Sequence, residues 1–231
     1  MKIGILQTGH VVGELLENHG DFDGMFRKLL DGYGFEFETY NVVDNEFPNS
    51  PTQADGWLIT GSAHGAYEDL PWIAKLEDFL RQTYAKDVPI VGICFGHQIL
   101  AKAMGGEVVK YDQGWSIGNQ AYALAAPLDE KVRVVAWHQD QVTKLPEHAE
   151  CLGSSPFCQN AFVRYGNTAF TMQAHPEFGT AFGKDLMEYR KDSLPHPLIE
   201  EARAHFDEGL DQEKMAAQIT SFFKERTLKA G

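Results

Sequence analysis

The chain reads as an α/β protein on an open, mostly parallel sheet with helices on both faces. Three observations point there. Up to Met104, short apolar runs alternate with segments of helical spacing, the pattern of a parallel sheet wrapped by its crossover helices. The run Pro89-Ile-Val-Gly-Ile ends in a turn with Cys94 at its tip and continues as a helix through Phe95-Gly-His-Gln. After Gly106 the texture changes to short strand-like segments with few helices between, as expected of antiparallel strands added to the sheet or packed beside it.

The first strand covers residues 2–6, with its apolar part running from Ile3 to Leu6. A polar loop follows, then a helix near 23–31 with Met25, Phe26, Leu29 and Leu30 on one face. Residues 35–43 alternate and form strand two; 56–60 form strand three, which runs into the small-residue loop Gly61-Ser-Ala-His-Gly65. Residues 71–84 give a helix with Trp72, Ile73, Leu76, Phe79 and Leu80 apolar, and 89–93 give strand four. The helix after Cys94 stops at Gly105-Gly106. Beyond it, 107–111, 119–124, 133–137, 150–154, 161–165 and 168–173 have strand texture, and 184–189, 197–206 and 213–224 look helical. No linker, repeat or low-complexity tract interrupts the 231 residues, so one domain is the simplest organisation.

Composition excludes several classes. The net charge of −13 argues against nucleic acid or an anionic membrane as a general partner. No stretch approaches the roughly 20 apolar residues of a membrane span, and the opening Met1-Lys-Ile-Gly-Ile-Leu reads as a strand rather than a signal peptide. Cys94, Cys151 and Cys158 form no zinc pattern, and the nine histidines add no H-E-x-x-H, so no metal is expected; a reducing, cytoplasmic setting fits. No P-loop signature occurs, and Gly32-Tyr-Gly34 precedes a strand, so it is no dinucleotide fingerprint; no cofactor is expected.

The chemistry concentrates at two places. In Gly92-Ile-Cys94-Phe-Gly96, flanking glycines permit backbone dihedrals that a side chain forbids. The thiol then sits at a helix start, where free N–H groups and the dipole favour a thiolate. Far downstream, Gln173-Ala-His175-Pro-Glu177 follows an apolar run and falls at a strand end. Functional groups of open α/β sheets gather at the carboxyl ends of strands. Cys94 and His175 can therefore meet, with Glu177 accepting from the other imidazole nitrogen: nucleophile, base and orienter. Singly, a cysteine after an apolar strand is usually an inert core thiol, and His-Pro-Glu could be a turn. Only their coincidence points to a site.

These residues resemble a known family. Gly92-Ile-Cys94-Phe-Gly96-His-Gln98 and Gln173-Ala-His175-Pro-Glu177 look like the two signatures of class I glutamine amidotransferases, and the likeness is greatest to stand-alone domains similar to the amidotransferase part of GMP synthase. The resemblance implies a flavodoxin-like three-layer α/β/α fold and a Cys94-His175-Glu177 triad that hydrolyses the glutamine side-chain amide through a thioester. It also implies an oxyanion hole from the N–H groups of Ser62 and Phe95, beside an unobstructed Gly61. Gln98 and His138 become substrate contacts, although Trp137 and Gln139 replace the usual small residues around that histidine. The stretch Asp112-Gln-Gly-Trp115 is a further candidate for the pocket wall. Family synthetases carry a second, nucleotide-binding domain that uses the ammonia; here the chain ends soon after His-Pro-Glu. Three functions follow. The first is a glutaminase that feeds a separate synthetase subunit. The second is a stand-alone γ-glutamyl peptidase using the same thioester. The third is a non-catalytic binding domain, against which the full triad weighs.

Overall fold

The computed structural model describes residues 1–226 and Leu228. Its strands are β1 (Lys2–Gln7), β2 (Glu36–Asn41), β3 (Gly56–Ile59), β4 (Ile90–Ile93), β5 (Glu107–Lys110), β6 (Ser116–Leu124), β7 (Lys131–His138), β8 (Asp140–Lys144), β9 (Ala149–Ser154), β10 (Phe162–Tyr165) and β11 (Ala169–Met172). Its α-helices are α1 (Gly13–His19), α2 (Phe22–Leu29), α3 (Pro71–Ala85), α4 (Phe95–Ala103), α5 (Thr180–Arg190), α6 (His196–His205) and α7 (Gln212–Glu225). A nine-stranded sheet runs in the order β2-β1-β3-β4-β11-β10-β9-β6-β7. From β2 to β11 all pairings are parallel; from β11 onward they are antiparallel. Strands β5 and β8 form a separate two-stranded sheet.

Alternation along the strands divides the core into layers. Ile3, Ile5, Val91, Ile93, Phe170 and Met172 pack on one face against Phe26 of α2 and Ile219 and Phe222 of α7. Leu6, Trp57, Ile59 and Ile90 pack on the other against Leu76 and Leu80 of α3 and Phe95 and Ile99 of α4. Each fully buried side chain of this kind contributes about 2 kcal/mol of transfer free energy. Gly4 makes room for Trp57: a Cβ there would lie 2.1 Å from the indole.

Three expectations need correction. The segment at 168–173 shares the texture of the antiparallel strands, but β11 is the fifth parallel strand, inserted beside β4. Its apolar run does not encode direction; its neighbours in the sheet do. The polar loop after β1 contains α1, which buries Leu15 alone, too narrow an apolar face to announce a helix. β8, which the sequence does not announce, pairs with β5 outside the main sheet.

Candidate active site

Cys94 stands between β4 and α4 with φ 51° and ψ −101°, a left-handed conformation that costs a non-glycine residue free energy. The neighbouring backbone imposes it. A Cβ on Gly92 would lie 2.5 Å from the Gly96 carbonyl oxygen, and one on Gly96 would lie 2.6 Å from the Ile59 carbonyl oxygen. Strand β4, helix α4 and strand β3 thus touch backbone to backbone around the turn. The Cys94 N–H donates to Met172 O at 2.9 Å, tying the elbow to β11.

His175 follows β11 and is held by an isolated antiparallel bridge to Val135 of β7, with its N–H donating to Val135 O at 2.8 Å. Its Nδ1–H donates to Glu177 Oε1 at 2.8 Å, which turns Nε2 toward the sulfur. Phe178 stacks flat on the imidazole, centroids 4.1 Å apart. The Cys94 side chain lies within hydrogen-bonding reach of the ring. A Cβ on Gly61 would stand 2.8 Å from His175 Cε1 and 3.6 Å from Cys94 Cβ, so both side chains converge where glycine leaves space. Burial alone lowers the His175 pKa, but its interactions with the Cys94 side chain and the Glu177 carboxylate outweigh it and raise it to about 10.

Gly61, Ser62, Cys94, Gln98, His138 and His175 all line one cleft of about 360 Å³. Glu177 lies behind the imidazole and borders a second cavity. The Ser62 loop is pinned from β1: Thr8 Oγ1 donates within 3.0 Å of the carbonyls of both Thr60 and Gly61, and the Thr8 N–H donates to Thr60 Oγ1 at 3.0 Å. The Phe95 N–H opens α4, among the first-turn donors that a helix leaves without internal partners. Gln98 Nε2 donates to Asp140 O and to Gln173 Oε1, both at 3.1 Å. His138 Nδ1 donates to Asp140 O at 3.1 Å, leaving Nε2 buried with no hydrogen-bond partner among the described residues. Burial holds the His138 pKa down at about 4, with the charge of nearby His175 adding to it. From the stretch ending at Trp115, the indole reaches the cleft.

Sequence reasoning misses three contributors. Gln173 Nε2 lies 3.6 Å from the Cys94 sulfur. Phe178 covers the imidazole, and Thr8 ties down the Ser62 loop. Gln173 sits two residues before His175 at the end of β11, so strand alternation could have placed it; Thr8 carries no local signal.

The sequence pattern of glutamine amidotransferase class-I matches residues 18–190. The chain belongs to that family. Gamma-glutamyl peptidase 4 of Arabidopsis thaliana is 30% identical over 185 residues, 74% of this chain and 74% of that protein. A glutamine-hydrolyzing GMP synthase subunit of Natronomonas pharaonis is 29% identical over 186 residues, 77% of this chain and 95% of that polypeptide. A glutamine amidotransferase crystal structure from Thermotoga maritima matches with a TM-score of 0.73 at 24% identity, covering 97% of each chain. The fold is therefore the flavodoxin-like α/β/α fold of these amidotransferases, and the membership supports an amidohydrolase enzyme. No helix among the described residues is long and apolar enough to cross a membrane.

Proposed function

We propose that the protein hydrolyses a glutamine-type γ-amide through a thioester on Cys94. The observation that carries this is the strained Cys94 in one cleft with an imidazole that a buried carboxylate orients. The Cys94 thiolate attacks the γ-carbonyl carbon. The N–H groups of Phe95 and Ser62 receive the oxyanion; losing one such donor costs about 3 kcal/mol of barrier. His175 gives its proton to the departing nitrogen, then takes one from the water that cleaves the thioester to glutamate. Glu177 keeps Nδ1 protonated throughout. His138 Nε2, a lone-pair acceptor with no partner among the described residues, receives an N–H of the substrate α-ammonium, and Gln98 lies beside it.

With glutamine the leaving group is ammonia, and the likeness to the Natronomonas GMP synthase polypeptide supports a separate synthetase chain as its consumer. A specific observation favours γ-glutamyl peptidase action as the second reading: the cleft extends well past what a primary amide needs. The whole chain acts as one domain, without metal or cofactor, in a reducing cytoplasm that keeps its three thiols free. Acid-quenched protein mixed with glutamine or a γ-glutamyl peptide should carry a glutamyl group on Cys94 by peptide mass mapping. Turnover by Cys94→Ser at the wild-type rate would reject the mechanism.

A further inference from the structure

The cleft holds more than a glutamine can use. At about 360 Å³ it falls in the range of pockets, roughly 300–1,000 Å³, that enclose ligands well above amino-acid size. Part of its lining has the chemistry of a glutamyl zwitterion: Lys110 and Asp140 are register partners across β5 and β8, and the Asp140 carbonyl receives both Gln98 and His138. Another part is apolar. Leu15, Trp115, Trp137, Phe182 and Leu186 line it, the two indoles 6.4 Å apart, and Val12 at the lip is 54% exposed. An exposed apolar lip continuous with a pocket marks a surface that a ligand covers. Arg190, at the end of α5, lines the same cleft. It donates through Nε to Ser193 Oγ at 3.2 Å and makes no ion pair among the described residues. A guanidinium with its Nη groups unpaired matches a carboxylate. Glutamine brings one carboxylate; a γ-glutamyl amino acid brings two.

We propose that the substrate of this site is a γ-glutamyl amide of an apolar α-amino acid, with the leaving amino acid's side chain against the Trp115–Leu186 wall and its carboxylate on Arg190. This rests on the γ-amide chemistry proposed above. The γ-amide C–N bond breaks as the carbonyl carbon passes to Cys94 Sγ, and the freed amine takes the His175 proton; water then releases glutamate and restores the thiol.

Binding to the Cys94→Ser protein by calorimetry tests the subsite without requiring turnover. γ-Glutamyl-phenylalanine should bind at least about tenfold tighter than glutamine, and its C-terminal amide should lose most of that gain. Arg190→Gln should weaken the acid more than the amide, with Arg190→Lys recovering part. Equal or tighter binding of glutamine, or equal loss for acid and amide on Arg190→Gln, overturns the assignment. Wild-type protein that turns over glutamine but leaves the peptide uncleaved also overturns the assignment; protein that binds the peptide in this pattern but forms no glutamyl adduct from either compound rejects the thioester reading instead.

Discussion

The parallel and antiparallel halves of the sheet hold the site in different ways. Around Cys94 the parallel half is built from backbone in contact with backbone: β4 against α4, α4 against β3. No side chain there can yield. His175 also leaves a parallel strand, but it is fixed through the antiparallel half, by one bridge to Val135, and then by Glu177 and the Phe178 ring. Cys94 is therefore set by sterics and His175 by hydrogen bonds and stacking. A steric constraint fails with a single added methyl group, whereas a hydrogen-bonded one degrades in steps.

The largest expected effects come from deleting the groups proposed to react. Cys94→Ser and His175→Asn should each lower kcat by at least about 10⁴-fold while unfolding within about 1 kcal/mol of wild type in urea; wild-type activity in either would erase the distinction drawn above. Glu177→Gln removes the tautomer control but not the ring, so a kcat loss of about 10³-fold is expected, read by steady-state kinetics. Gly96→Ala separates the two kinds of constraint. Its Cβ would enter the Ile59 carbonyl, so a loss of about 3 kcal/mol in denaturant titration should accompany loss of activity. Thr8→Val removes only the tie to the Ser62 loop and should cost about tenfold in kcat; an unchanged rate would show the loop to be held elsewhere.

Acid stability sharpens the comparison on the antiparallel side. His138, on β7, is buried with its pKa held near 4 against an ordinary 6.5. Between those values the unfolded chain binds a proton that the folded one refuses, so stability is present above pH 6.5 and falls as pH drops toward 4. His97, held at about 3, adds to the same loss. His138→Gln should recover up to about 3 kcal/mol of it, measured as the pH dependence of urea midpoints. The smallest effect belongs to Cys151→Ser: the thiol is exposed with weak sulfur contacts, and stability and activity should stay within error.

Much of this was legible in the chain because it depends on local chemistry. Glycines at both flanks of Cys94 announce an elbow whatever surrounds it, since few other residues tolerate those dihedrals. His175-Pro-Glu177 is read the same way, because its hydrogen bond spans two residues. The direction of β11, the presence of α1, the β5–β8 pair and the Thr8 tie were not legible. Each depends on partners tens of residues away, and an apolar run or a lone threonine looks alike in every such context. Sequence alone determined which groups could react, because reactivity begins with residue type and its immediate backbone. Tertiary structure alone decided that Arg190 and Lys110 share a cleft with them, because what lines a cavity is set by the packing of whole elements.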